Sequence, residues 1–278
     1  MALEFPVDAD AALTFFAAGD RSGLDPRRLA SWEVGDVLRE IIDRLVDTRA
    51  GANDLNAITN ELEAVAARLR RFEHGRRYDS YGEAANASMS APEVAESGDT
   101  ASPGDPASPE DAAPPSGHAD FSPLLGRANP LAPPMQFSID SSGDVPKVRA
   151  DVTFGHAYEG PPGHVHGGIV AAAFDELLGA TQAMSGSPGM TANLVVNYRA
   201  PTPLHVPLRF ESTLDSVDGR KIRTSARLFN GDSLCAESTG LFITIDFSAI
   251  AAMRVDRDGS KAVDTDGVRP ENDGSQKD

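Results

Sequence analysis

A histidine followed by two glycines, and an aspartate nine positions later, are the residues of this sequence best suited to chemistry. Residues 163–168 read Gly-His-Val-His-Gly-Gly and lead directly into a helix-length apolar stretch. Backbone N–H groups at a helix start have no partner within the helix and point along a favourable dipole. This geometry suits a carbonyl oxygen that gains negative charge, as in an oxyanion hole. On these residues alone, the alternative interpretation, a glycine turn that lets the helix begin close to a strand, remains open.

Asp175 lies about two turns into this stretch, among Ala, Val, Leu, Ile and Phe. Burying a carboxylate in such surroundings is costly unless it is paired, and it raises the pKa of the group. Perturbed acids of this kind are enriched at active sites. The alternative is that Asp175 emerges on an exposed stripe with Glu176 as its solvated companion. Glu176 points about 100° away from Asp175 around the helix, so the two are not expected to act on one atom.

Two other kinds of site are considered and disfavoured. His156, His164 and His166 could bind a metal, but the His-x-His metal sites of cupins need a nearby Glu, and residues 169–171 are Ile, Val and Ala. We therefore predict no metal site. Cys235 is the single cysteine, which rules out an intrachain disulfide and a cysteine-built zinc site. Without an adjacent histidine, it is expected to be a small buried side chain.

The elements that must position these residues can be read from hydrophobic periodicity. Residues 167–184 are apolar on nearly every side, which predicts a helix buried on most of its surface. Asp218-Gly219 and Asn230-Gly231-Asp232 are hairpin signals between strand-like runs. The order, one strand, a helix and then an antiparallel meander, predicts an α+β fold with a curved antiparallel sheet wrapped around one central helix. The predicted strands are 148–154, 190–198, 208–216, 221–229 and 233–245.

The rest of the chain divides by composition into three further regions. Residues 1–78 form a helical N-terminal region with two amphipathic patterns joined at Gly51 and Asn53, a predicted stop and cap. The second pattern, over residues 55–72, alternates steps of three and four, which is typical of a narrow a/d seam. A hairpin packed on itself or on the main domain and a coiled-coil or partner-docking module both remain open. Residues 79–120 are predicted to be a disordered acidic linker, 121–247 the main domain and 248–278 a flexible tail.

Charge excludes several classes of function. The chain has 25 Lys and Arg against 42 Asp and Glu, a formal charge of −17. Nine of the acidic residues lie in the predicted linker, which contains no Lys or Arg. A nucleic-acid or anionic-membrane binder needs a basic face, so neither partner is expected. No secretory signal and no apolar run of membrane-spanning length is visible, which predicts a cytoplasmic protein.

The chemical residues, taken together, match a family pattern over about residues 121–247. His166-Gly167-Gly168, Asp175, residues 191–194 (Thr-Ala-Asn-Leu) and Asn197-Tyr198 resemble hotdog-fold acyl-CoA thioesterases of the PaaI type. The resemblance implies hydrolysis of acyl-CoA, with a role in fatty acid metabolism. It also implies no metal or bound cofactor, and a homodimer or a dimer of dimers with active sites at the subunit interface.

The resemblance also implies roles for individual residues. Gly168, with Gly167 as a second candidate, would donate its backbone N–H to the thioester carbonyl, and His166 would shape that loop. Asp175 from the opposite subunit would act as general base or nucleophile, oriented by Thr191. The residues expected to bind substrate are Gly167, Asn193 and Arg199.

Three further expectations follow. The phosphates of CoA should meet some of Arg199, Arg209, Arg220, Lys221, Arg223 and Arg227. Deletion of residues 1–120 should leave an active dimeric core. The alternative function is a non-catalytic acyl-CoA-binding or scaffolding protein that uses the N-terminal helices as its interaction module.

Overall fold

The computed structural model of the chain describes residues 26–72, 120–133, 135–143, 145–187 and 189–244. The predicted linker of residues 79–120 lies outside the described residues, with the exception of Asp120. The predicted tail, residues 248–278, lies outside them altogether.

Six antiparallel strands form one curved sheet. Their spatial order is β1-β2-β4-β5-β6-β3, so β1 and β3 are the two edges. The turns of the β4–β5 and β5–β6 hairpins contain Gly219 and Gly231 with φ of +56° and +58°, a conformation that disfavours residues with a side chain. The predicted hotdog architecture is confirmed. The strands are β1 (Gln136–Asp140), β2 (Lys147–Val152), β3 (Gly189–Tyr198), β4 (Leu208–Asp218), β5 (Lys221–Asn230) and β6 (Ser233–Thr244).

The third helix of the described residues, α3 (Gly167–Ala183), packs against one face of this sheet. Its apolar side chains enter the core, where the Phe174 ring meets that of Phe210 edge to face with centroids 5.1 Å apart. Each large side chain buried in this way stabilises the fold by about 1.5–3 kcal/mol. The buried central helix predicted from sequence is therefore the element around which the sheet closes. No helix in the described part of the chain is long and apolar enough to cross a bilayer.

The opposite face of the sheet is polar. Along β5, Ile222, Thr224, Ala226 and Leu228 are buried, and the alternate positions Lys221, Arg223 and Arg227 are exposed. This period-2 alternation separates the core face from an outer face that carries much of the domain's positive charge.

The first helix, α1 (Pro26–Asp47), is part of the sheet domain. Trp32 is only 1% exposed, and its indole Nε1 donates to Asp120 Oδ1 at 2.9 Å. Arg28 donates to both oxygens of the same carboxylate, at 2.6 and 3.1 Å. A Cβ placed on Gly35 would lie 2.4 Å from the carbonyl oxygen of Arg127, so this glycine permits close packing. Asp120, at the end of the predicted linker, is thus bound to α1, and the docking of α1 on the sheet domain is one of the arrangements that the sequence left open.

The second helix, α2 (Ala52–Leu69), behaves differently, because none of its residues is buried. Gly51 is its N-cap residue, and Asn53 lies inside the first turn, so the predicted cap at Asn53 is wrong. The turn between α1 and α2 is as short as expected. Within the described residues, however, α2 does not pack along α1 or on the sheet.

Candidate active site

The start of α3 is organised by His166. This residue is the N-cap, in an extended conformation, and its imidazole Nδ1 accepts a hydrogen bond from the backbone N–H of Gly168 at 3.0 Å. The N–H of Gly167 has no acceptor among the described residues. Gly168 is the first candidate for the oxyanion donor by sequence, and Gly167 the second. Because the Gly168 N–H is already bound to the cap, the Gly167 N–H is the one left available in the described chain.

Hydrogen bonds on both sides hold the loop before α3 in place. The Tyr198 hydroxyl donates to the Gly167 carbonyl oxygen at 2.6 Å, and the His166 N–H donates to the Tyr158 carbonyl at 2.8 Å. Gly163, with φ of +76°, donates its N–H to Glu159 Oε1 at 2.6 Å. This backbone hydrogen bond lowers the pKa of the Glu159 carboxyl. The glycine N–H groups therefore have a fixed direction, as preorganised catalysis requires.

Asp175 is half-buried on α3 and accepts a hydrogen bond from the Thr191 hydroxyl at 2.9 Å. Thr191 reaches it because the β3–β6 register shifts between Thr191 and Asn193. On the two sides of this β-bulge, Thr191 is opposite the buried Phe242 and Asn193 is opposite Leu241. Bulges re-aim side chains next to active sites. Here the bulge turns Thr191 towards the helix and Asn193 towards the outer face.

Glu176 is half-buried and is not the solvated companion that the alternative interpretation supposed. Burial, together with the adjacent Asp175 carboxylate, raises the pKa of Glu176 to about 7, although a hydrogen bond from Ser122 acts in the opposite direction. Ser122 belongs to the segment that α1 holds against the domain. The site therefore contains two neighbouring acids, one held by a strand hydroxyl and the other buried under this segment.

The Gly167 N–H and Asp175 of one chain cannot act on the same carbonyl. They are eight residues apart on one straight helix, which corresponds to about 12 Å along its axis. A reacting carbonyl must lie about 3 Å from its oxyanion donor. One chain thus supplies an acid at one place and an oxyanion donor at another.

Asn193 and Arg199, which were predicted to bind substrate, form no hydrogen bond with Asp175 in the described chain. Asn193 lies on the outer face, and Arg199 follows the end of β3, where its Nε donates to Glu237 Oε1 at 3.0 Å. Among the other CoA-phosphate candidates, Arg209 lies beside Glu211 and Arg220 donates to the Thr244 carbonyl. Lys221, Arg223 and Arg227 form no ion pair with the described residues.

The histidines and the cysteine have separate environments. His166 caps α3, His164 Nδ1 contacts the Pro162 carbonyl at 2.8 Å, and His156 faces Asp47 and Glu159. No group of three His, Cys, Asp or Glu side chains that could hold a metal ion occurs among the described residues. Cys235 is buried, as expected, and burial raises the pKa of its thiol.

Sequence reasoning did not assign a role to Tyr198 or to Glu176. Tyr198 enters the sequence pattern only as part of a motif, although an aromatic hydroxyl at the end of a predicted strand is a suitable partner for the glycine loop. The raised pKa of Glu176 comes first from burial, which a local pattern does not show, and second from the adjacent Asp175 carboxylate.

Comparison with known proteins agrees with the fold. The family model described as thioesterase superfamily matches residues 162–237. Acyl-coenzyme A thioesterase THEM4 from Xenopus laevis is 39% identical over 89 residues, which cover 31% of this chain and 40% of that protein. THEM4 from Bos taurus is 40% identical over 90 residues, covering 32% of this chain and 37% of that protein. The chain thus matches about two fifths of the length of these curated relatives.

A solved structure of a thioesterase superfamily protein matches more of the chain. It is 32% identical, with a TM-score of 0.60, and the match covers 77% of this chain and 94% of that one. The coverage includes more than the hotdog domain alone. The chain belongs to the thioesterase superfamily.

Proposed function

We propose that the protein hydrolyses acyl-CoA thioesters to a carboxylic acid and CoA. The observation that carries the proposal is the pairing of Asp175 with Thr191 on the helix whose own start presents an unused backbone N–H at Gly167. The relatives that match this part of the chain are named acyl-coenzyme A thioesterases.

Hydrolysis of a thioester can proceed with the Gly167 N–H, the Asp175 carboxylate, the Thr191 hydroxyl and a water molecule. The thioester carbonyl accepts a hydrogen bond from the Gly167 N–H, which stabilises the charge that develops on the oxygen. Asp175, acting as general base, takes a proton from water while the water oxygen adds to the carbonyl carbon. The tetrahedral intermediate then breaks its C–S bond, and CoA leaves as a thiolate that recovers a proton.

Asp175 acting as a direct nucleophile is the second route. Its carboxylate would displace the CoA thiolate, and water would hydrolyse the resulting anhydride to regenerate the carboxylate. In both routes Thr191 orients one carboxylate oxygen and leaves the other for the reaction.

The site that we propose is shared by two copies of the chain. Gly167 of one copy and Asp175 of the other would meet on one thioester, since a single chain holds them about 12 Å apart. The support for this homodimer is the β3 strand, which carries Thr191 and is an edge of the sheet with no further strand beside it among the described residues. Its Met190, Val195 and Tyr198 are 38%, 45% and 52% exposed, and open apolar edges of this kind favour strand pairing. Association of two such dimers stays a prediction.

The decisive experiment is a thiol-release assay over a panel of acyl-CoA substrates, comparing the wild type with Asp175→Asn. We expect kcat to fall by about 10²–10⁴-fold, the usual contribution of a general base, with the melting temperature nearly unchanged. Asp232→Asn, at an exposed hairpin turn, is the control and should retain full activity. Wild-type-like turnover of Asp175→Asn would remove Asp175 from the mechanism.

The same assay separates the catalytic function from the alternative. If the wild type binds acyl-CoA but releases no thiol from any member of the panel, a non-catalytic binding or scaffolding role is correct. Assignment to the PaaI type, a role in fatty acid metabolism and a cytoplasmic location are sequence predictions that this proposal does not require.

A further inference from the structure

The α2 helix has an apolar face that nothing in the described part of the chain covers. We call this face the α2 seam. Five of its six members are exposed, by amounts that range from 36% for Leu62 to 70% for Phe72, and Leu55 is half-buried. An 18-residue helix without tertiary contacts is marginal in water, so such a face is expected to be covered by a partner. The α2 seam consists of Leu55, Ile58, Leu62, Val65 and Leu69 on α2, and of Phe72 three residues beyond its end.

The spacing of the α2 seam favours another helix as that partner. The seam alternates steps of three and four over its whole length, which places its residues at the a and d positions of a coiled coil. This stripe is narrower than the apolar face of a helix that packs on a sheet. By contrast, α1 docks through Trp32, Gly35 and several arginines and does not use an a/d seam.

The charges beside the α2 seam are divided between its two ends. Asp54, Glu61 and Glu63 lie in the first two thirds of α2, and Arg68, Arg70 and Arg71 lie at its end. None of these six side chains has an ion-pair partner among the described residues. Two copies in parallel would bring like charges together, whereas two antiparallel copies bring acidic end to basic end. The surface is therefore complementary to itself in one orientation, as a two-fold symmetric contact requires.

In the antiparallel orientation, the a and d residues of one copy of α2 pair with the d and a residues of the other. Leu62 packs opposite the partner's Val65, and Ile58 packs opposite the partner's Leu69. With these layers, Glu61 flanks the core beside the partner's Arg68, and the two-fold axis repeats this pair. We propose that α2 forms an antiparallel two-helix coiled coil with α2 of a second copy of this chain. This contact is separate from the β3 edge and does not include any residue of the proposed active site.

Cysteine cross-linking in the full chain tests the orientation. Ile58→Cys and Leu69→Cys are prepared separately, with different tags, then mixed and mildly oxidised. Antiparallel pairing predicts that the mixture forms a disulfide-linked dimer containing both tags. Either variant alone should give a yield of disulfide-linked dimer about ten-fold lower. In the antiparallel pair, two copies of position 58 would be about 16 Å apart along the axis, whereas a disulfide needs Cα atoms within about 7 Å. The native Cys235 is 1% exposed and does not compete.

Two outcomes of the cross-linking would overturn the proposal. Efficient self-linking of Ile58→Cys would show a parallel pair. Absence of a mixed disulfide would show that something other than a second copy covers the α2 seam. The substitutions do not endanger the fold, since no residue of α2 is buried.

A charge exchange tests the Glu61–Arg68 pairing in the same cysteine background. Glu61→Arg and Arg68→Glu, made singly, should each lower the yield of mixed disulfide by about ten-fold, because both symmetric pairs become repulsive. The double variant, which carries both Glu61→Arg and Arg68→Glu, should restore the yield of mixed disulfide. Asn60→Arg, on the side of α2 opposite the seam, is the matched control and should have no effect. Failure of the double exchange to restore linking would overturn the register. Thioesterase activity should be unchanged in all of these variants, so this result is independent of the proposed function.

Discussion

Gly167 and Gly168 are adjacent, but their backbone N–H groups have different partners. The Gly168 N–H is taken by the imidazole of His166, and the Gly167 N–H has no acceptor in the described chain. The oxyanion role therefore belongs to Gly167 in our proposal, and His166 acts indirectly by fixing the first turn of α3. The Tyr198 hydroxyl supports the same turn from β3 through the Gly167 carbonyl.

A proline at position 167 isolates the proposed donor. Proline is tolerated at the first position of a helix and lacks only the N–H, and His166 already has the extended conformation that must precede it. We expect Gly167→Pro to lower kcat by about 10²–10³-fold in the thiol-release assay. Gly167→Ala keeps the N–H, and its Cβ would lie 3.3 Å from the Tyr198 hydroxyl, so it should lose only a few-fold. Equal activity of the two variants would contradict the assignment.

Glu176 should make the stability of the protein depend on pH. Its folded pKa of about 7 lies above the ordinary value of 4.5 because the carboxyl is buried beside Asp175. The neutral acid contributes its full stability below pH 4.5, and this contribution is lost as the pH rises through 7. Glu176→Gln should therefore unfold like the wild type near pH 4.5 and be more stable at pH 8, by on the order of 1–3 kcal/mol.

Denaturant unfolding between these pH values measures the effect of Glu176→Gln. Asp218→Asn, an exposed acid at the end of β4, should leave the pH dependence unchanged. A Glu176→Gln protein that keeps the wild-type pH slope would show that another group is responsible.

At the scale of elements, α1 braces the loop that leads into the site. The carboxylate of Asp43 on α1 accepts a hydrogen bond from the Ala157 N–H at 3.3 Å. The carbonyl oxygen of the next residue, Tyr158, accepts a hydrogen bond from the His166 N–H. Burial of Tyr158 raises the pKa of its phenol to about 12. Removal of residues 1–120 would expose this surface, so the structure argues against the expectation that such a deletion leaves an active core.

Trp32→Ala tests how strongly α1 is docked. Loss of this buried ring should destabilise the fold by about 3–5 kcal/mol, as large-to-small changes of buried aromatic residues do. Val34→Ala, on the same helix but 53% exposed, should cost less than about 0.5 kcal/mol. Thermal melts followed by circular dichroism compare the two variants. Similar losses for both would show that α1 is not anchored through Trp32.

Periodicity was sufficient for α3 and for β2–β6, since buried positions recur every 3.6 or two residues, but the predicted strands did not include β1. The observed α3 and β3–β6 agree with the predicted spans to within about two residues. Contacts between distant segments were not accessible in this way. The docking of Trp32 on Asp120, 88 residues later, leaves no local pattern. The same holds for the bulge that sends Thr191 and Asn193 to opposite faces.

At the scale of the whole molecule, the shared site predicts complementation between inactive variants. Asp175→Asn and Gly167→Pro each damage a different half of the site. A random mixture formed by unfolding and refolding together contains about one half mixed dimers, and each mixed dimer has one intact site of two. We therefore expect recovery of about a quarter of wild-type activity. The two proteins refolded separately and then assayed together are the control. No recovery would place the complete site within one chain.

The hydrogen bonds from Arg28 and Trp32 to the Asp120 carboxylate join two segments that are far apart in the sequence. Residues 73–119 connect α2 to a segment that α1 already holds by non-covalent contacts. A cut anywhere in this connection would therefore leave two fragments joined by the α1 interface. The protein is thus naturally divided for fragment complementation: residues 1–72 and 120–278 could be produced as separate polypeptides and reassembled.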